Sequence, residues 1–146
     1  MQLNSFYPVL AVEDVPAAAR FFLEHFPFEK TFEADWYVSL RSSDGKDFQL
    51  ALLAYDHPSV PEPFRKTTQG VFLNFEVSDV DAEHERLRAA GVPVARELRS
   101  EDWGQRHFIA EAPGGILVDV IQIIPPSAEF LAQYSEEGKK ELFDGE

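Results

Sequence analysis

Val12-Glu13-Asp14-Val15-Pro16-Ala17 recurs further along the chain as Val77-Ser78-Asp79-Val80-Asp81-Ala82, so the pattern V-x-D-V-x-A is written twice. The context repeats with the letters: an alternating or apolar run precedes each Asp and an amphipathic helical pattern follows it. A carboxylate at such a boundary accepts hydrogen bonds from the first free backbone N–H groups of a helix and complements its positive end. Asp14 and Asp79 are therefore read as N-caps, each marking a strand-to-helix junction. Self-similarity of this kind implies a chain built from two copies of one supersecondary unit.

Working outward, Val15, Ala19, Phe22 and Phe26 fall on one stripe of the first helix, Pro16 is tolerated in its first turn, and Pro27 stops it. In the second helix Val80, Leu87 and Ala90 mark the inner face, Glu83, Glu85, Arg86 and Arg88 are free to be solvated, and Gly91 offers a left-handed C-cap. Ahead of that helix, Val71, Leu73, Phe75 and Val77 point one way, while Phe72, Asn74 and Glu76 point the other. The second, mixed face suits either a sheet curved around a wet cavity or one turned to solvent.

Strands are expected over 29–34, 36–42 and 48–55 after the first helix, and over 94–98, 106–111 and 117–124 after the second. Asp44-Gly45 and Pro113-Gly114-Gly115 are hairpin signals, because glycine takes positive φ without a steric penalty. The stretch 57–70, with Pro58, Pro61 and Pro63, reads as a connection. Pro125-Pro126 ends the last strand, and Ser127 caps a C-terminal helix of about 127–143 with Phe130, Leu131 and Tyr134 on one side. The acidic 135–146 stretch is expected to fray. The reading is an α+β fold: one domain over 1–146, of two βαβββ modules (about 5–56 and 70–124, linker 57–69).

The composition narrows the function. Twenty-six acids against thirteen Lys and Arg give a net charge of −13, which repels polyphosphate chains, so no nucleic-acid partner is expected. The same acidity favours solubility and would attract cationic small molecules. With no cysteine, thiolate metal sites, disulfides and cysteine nucleophiles are excluded. No segment approaches the roughly 20 apolar residues that span a bilayer, and no basic-then-apolar leader opens the chain; a cytoplasmic protein with no membrane partner is expected. Thirteen Phe, four Tyr and two Trp supply ring area for a core or a pocket wall.

Two β-α-β-β-β units in tandem are the layout of the vicinal oxygen chelate superfamily of glyoxalases, bleomycin-resistance proteins and extradiol dioxygenases. F-Y-P-V-L-A-V-E-D-V-P-A-A-A-R-F-F (Phe6 to Phe22) resembles the opening strand and helix of its bleomycin-resistance branch. W-G-Q-R-H-F (Trp103 to Phe108) and A-P-G-G-I-L-V-D-V-I-Q (Ala112 to Gln122) resemble its closing hairpin. The resemblance covers roughly residues 5–124 and implies a cupped mixed sheet with helices on its outer face, an open pocket and a homodimer.

Where members bind metal, the resemblance places ligands on the first and last strands of each module. Here those positions hold Tyr7 and Gln49 in the first module and Phe72 and Asp119 in the second. Divalent metals need three or more well-placed nitrogen or oxygen ligands. This set supplies one acid and one amide, so no cofactor is expected, and a divalent metal would meet an incomplete ligand set.

His25, beside a proline, His57, in the linker, and His84, among helix charges, are read as structural. His107, in a strand near Asp119, is a candidate hydrogen-bond partner or general base. Asp119 lies in the apolar run Leu117-Val118-Asp119-Val120-Ile121, where a carboxylate requires a hydrogen bond or a partner. Trp103, in a polar loop with Glu101 and Asp102, is a candidate for stacking on a flat ligand, whereas Trp36 is read as core. The ligand-binding candidates are thus Tyr7, Gln49, Phe72, Asn74, Trp103, His107 and Asp119.

The function expected first is a metal-free small-molecule-binding protein that sequesters a flat or cationic toxic compound, as bleomycin-resistance relatives do; a micromolar complex needs about 8 kcal/mol. The alternative is a metal-dependent lyase, isomerase or dioxygenase of the same superfamily. A metal-free enzyme using His107 and Asp119, and an interaction module with a filled cup, complete the set.

Overall fold

The computed structural model describes residues 1–144. It falls into two units, one comprising Met1–Val71 with Ala112–Ile116, the other Phe72–Glu111 with the chain from Leu117 onward.

In the first unit β1 (Val9–Val12) leads into α1 (Val15–His25), followed by β2 (Phe28–Glu33), β3 (Tyr37–Ser42) and β4 (Gln49–Ala54). The sheet order is β1-β4-β3-β2, with β1 parallel to β4 and the other pairs antiparallel. Asp14 caps α1, accepting from the N–H of Ala17 at 3.0 Å. The helical stripe is buried as expected: Val15, Ala19, Phe22 and Phe26 are shielded, joined by Ala18 and Phe21. They cover the sheet face that carries Leu10, Val12, Val38, Leu40, Leu50 and Leu52. Fully burying a side chain such as Phe22 contributes about 1.5–3 kcal/mol.

The second unit repeats the plan. β5 (Phe72–Glu76), α2 (Val80–Ala89), β6 (Val94–Glu101), β7 (Gln105–Ala112) and β8 (Ile116–Ile123) give the order β5-β8-β7-β6, again with the first and last strands parallel. Asp79 caps α2 through Ala82 N–H at 3.1 Å. Val80 and Leu87 are fully buried beside Phe108, Ala110, Val118 and Val120. Ala90 is not on the inner face as expected. It is the exposed C-cap, and Gly91 after it takes φ of 79°, so the chain leaves the helix there and Val92 is the next buried side chain. In β5 the alternation holds, with Leu73 and Phe75 half-buried and Phe72, Asn74 and Glu76 exposed.

Two further expectations are corrected. β6 runs on to Glu101 rather than ending at Leu98, because the hairpin pairs Arg99 with His107 and Glu101 with Gln105. The C-terminal helix is two helices, α3 (Ala128–Leu131) and α4 (Glu136–Phe143). Ser135 breaks the run by capping α4 through Gly138 N–H at 3.0 Å, and α4 runs to Phe143. Residues 145 and 146 lie outside the described residues. Phe130, Leu131 and Tyr134 are the more shielded residues of α3 and its turn, as the pattern implied.

Candidate functional site

The face of the second sheet that α2 does not cover collects most of the expected site. The parallel register sets Asn74 beside Asp119 and Phe72 beside Leu117, and the hairpin register sets Arg99 beside His107. These side chains stand on the face opposite the one α2 covers, where His84 packs edge-on against Phe108 with centroids 4.9 Å apart.

At the centre, His107 and Asp119 are both buried, with Nδ1 of the imidazole 2.8 Å from Oδ1 of the carboxylate. The other ring nitrogen, Nε2, lies 3.2 Å from Oε1 of Glu101, which is buried too. Two carboxylates flank the ring, one facing each of its nitrogens. The apolar run around Asp119 thus carries a paired acid, as burial of a carboxylate requires.

Glu101 is not in the polar loop but closes β6, where it hydrogen-bonds His107 and Arg96 and forms an ion pair with Arg99. Arg99 Nε lies 2.9 Å and Arg96 Nη2 3.3 Å from the same Oε1 that meets His107. Burial pushes the Glu101 carboxyl up, but the His107 hydrogen bond and the charges of Arg99 and Arg96 outweigh it and hold it below the usual carboxylate range. Arg96 and Arg99 had no signal in strict alternation, since residues three apart belong to opposite faces of a regular strand. The register shifts between them, a β-bulge, and both reach Glu101.

Trp103 sits in the turn between β6 and β7, partly exposed, with its ring 6.1 Å from that of His107. Its indole N–H donates to Gln105 Oε1 at 2.9 Å, Phe130 packs at 6.4 Å, and the Tyr134 hydroxyl donates to its carbonyl at 2.9 Å. The C-terminal segment therefore anchors this turn.

Tyr7 and Gln49 belong to the first unit. Tyr7 is partly exposed just ahead of β1, and Gln49 opens β4 opposite Arg41, its amide donating to Asp47 at 3.4 Å. Burial raises the Tyr37 phenol above its ordinary value, Ser39 acts against this by hydrogen bonding, and Tyr7 adds to the rise. Trp36 is not core: it is 39% exposed and stacks on His57 with centroids 3.9 Å apart and 12° between planes. Two flat rings shielding one another satisfy much of the apolar surface that core burial would have covered. A depression of about 580 Å³ in the same unit is lined by Glu13, Tyr55, Lys66, Thr67 and Gln69 and includes none of the expected site residues.

The metal-ligand positions implied by the resemblance do not fit a metal. Phe72 has no donor atom, one oxygen of Asp119 is engaged by His107, and Tyr7 and Gln49 supply only a phenol and an amide oxygen. Both nitrogens of His107 are directed at carboxylates rather than toward a shared centre. Among the described residues no group of three or more His, Asp or Glu is placed to hold a metal ion. Nor is any helix among them long and apolar enough to cross a membrane.

Two tandem βαβββ units, each with a four-stranded mixed sheet, define an α+β protein of repeated modules. The profile of the Glyoxalase/Bleomycin resistance protein/Dioxygenase superfamily matches residues 5–120, and the chain belongs to this superfamily. Solved structures share the fold. A member of this superfamily from Sphaerobacter thermophilus DSM 20745 is 23% identical with a TM-score of 0.67, covering 83% of this chain and 98% of that one. A lactoylglutathione lyase from Agrobacterium tumefaciens is 20% identical with a TM-score of 0.68, covering 84% and 96%. A family enzyme from Burkholderia phytofirmans PsJN is 16% identical with a TM-score of 0.69, covering 81% and 97%. No curated protein matches the chain.

Proposed function

We propose that this chain is a glyoxalase/bleomycin-resistance-like small-molecule-binding protein that works without a metal and sequesters a flat compound, acting as a cytoplasmic homodimer. The observation that carries this reading is the 2.8 Å contact between His107 and Asp119. One oxygen of the one acid at an implied ligand position is already engaged by a ring nitrogen inside the protein, which weakens that acid as a metal ligand. The partly exposed rings of Phe72 and Trp103 border the same face and suit stacking on a flat guest. A cationic guest has less support than a flat one, because Glu101 and Asp119, the nearest acids, are both engaged by basic side chains. Binding alone suffices for protection, and no bond of the guest has to break.

The test is a thermal melt of EDTA-stripped protein with and without iron(II), manganese, nickel or zinc. A metal present at 100 times its dissociation constant would add about 2.7 kcal/mol. No upward shift with any of the four is expected. A clear shift that Asp119→Ala abolishes would overturn the reading in favour of a metal-dependent lyase, isomerase or dioxygenase.

A further inference from the structure

We propose that Arg96 and Arg99 form an oxyanion clamp at the edge of this face, which takes the carboxylate or equivalent oxyanion of a ring-bearing small molecule. The inference deepens the binding function proposed above and rests on it. Three features of the second sheet carry it.

The first is convergence. Arg96 and Arg99 meet on a single oxygen of Glu101, at 3.3 and 2.9 Å, while His107 meets the same oxygen at 3.2 Å. One buried carboxylate is satisfied by far less than two guanidinium groups and an imidazole, and His107 alone provides a buried donor to it. The arginines are a surplus on a chain whose net charge is −13. Like charges held side by side repel, and an arrangement that keeps them together is suited to an anion between or across them.

The second is the backbone device. A regular strand would send residues three apart to opposite faces; the bulge in β6 turns Arg96 and Arg99 to the same side. Bulges recur where a side chain has to be re-aimed, and here the re-aimed side chain is a cation.

The third is unused donor capacity. Arg99 engages Glu101 through Nε and Arg96 through one Nη, so each keeps a further N–H edge, and both side chains are about half exposed. Among the described residues neither has any acceptor besides Glu101. A guanidinium edge matches a carboxylate or phosphate with two parallel hydrogen bonds, a geometry that lysine does not reproduce. The Trp103 ring, 6.1 Å from the ring of His107, supplies an aromatic surface beside the clamp. The acidity of the whole chain repels anions at long range, so the clamp favours small ligands carrying a single oxyanion over polyanions.

The experiment follows the arginine Nε–H resonances of 15N-labelled protein, in EDTA and low salt, during titration with benzoate, benzylamine or inorganic phosphate. Benzoate is expected to shift Arg96 and Arg99 saturably and benzylamine to leave them in place. Arg96→Gln and Arg99→Gln are each expected to weaken benzoate at least tenfold, with Arg99→Lys losing most of the affinity although its charge is kept. Melting curves of the variants show that they remain folded, and the Lys variants stand in should a Gln variant unfold. Phosphate that competes with benzoate supports the clamp. Saturation by phosphate with benzoate silent overturns the ring-bearing ligand, response to benzylamine alone overturns the anion, and silence to all three overturns the clamp. A failure of the metal-free reading shows up separately, as a metal-induced shift in the melt that the arginine variants retain.

Discussion

Nδ1 of His107 and Oδ1 of Asp119 lie 2.8 Å apart on neighbouring strands, both buried, so the imidazole is the partner that makes an acid tolerable in an apolar strand. Removing one member of a buried pair leaves the other uncompensated. His107→Ala is expected to lower the unfolding free energy by about 3–5 kcal/mol. The double variant His107→Ala/Asp119→Ala should cost less than the sum of the two single changes, since they share one interaction. Urea unfolding of the four proteins measures this; strict additivity would mean that the pair is not coupled.

Acid stability should report on Glu101. Its carboxyl is held low by His107, Arg99 and Arg96 against the opposing effect of burial. A folded value below the unfolded one stabilises the native state above the unfolded value, about 4.3 for Glu, and that contribution disappears as pH falls through the folded value. The native chain should therefore lose stability more steeply than Glu101→Gln below about pH 4.3. Chemical denaturation repeated from neutral to acidic pH compares the two slopes, and identical slopes would remove Glu101 from the account.

Gly104 and Gly91 both take positive φ, 106° and 79°, but for different surroundings. A Cβ on Gly104 would lie 3.0 Å from the carbonyl oxygen of Ile124 and 3.2 Å from Cβ of Pro126, whereas nothing lies within 4 Å at Gly91. Gly91→Ala should cost about 1 kcal/mol, the backbone penalty alone. Gly104→Ala should cost more, about 2–3 kcal/mol, because the chain leaving β8 must also move. The difference between the two melting temperatures is the measurement.

The repeated caps should be equivalent. Asp14→Ala and Asp79→Ala each remove one side-chain acceptor from a helix start and should each cost about 1 kcal/mol, with Asn at either position retaining most of the stability. Unequal costs in thermal unfolding would show that the two copies of V-x-D-V-x-A have diverged in role.

Much of the fold was legible because the signals involved are local. A cap acts on an N–H three residues away, and Asp14 and Asp79 do bond Ala17 and Ala82. Period-2 alternation in β5 and the left-handed Gly91 depend on only a few neighbouring residues. His107 and Asp119 were legible as candidates for the same reason, since a charged side chain inside an apolar run is visible letter by letter.

What stayed hidden was the choice of partners. Nothing in the letters of β6 announces a bulge, because its position follows from pairing with β7, and the bulge is what puts Arg96 and Arg99 together on Glu101. Trp36 read as core because rings are costly to expose, yet its neighbour turned out to be His57, from the connection that follows β4. Periodicity and capping are properties of a segment, and so the sequence carries them openly. Pairing across strands depends on register, which depends on every contact in the sheet, and therefore appears once the chain is folded.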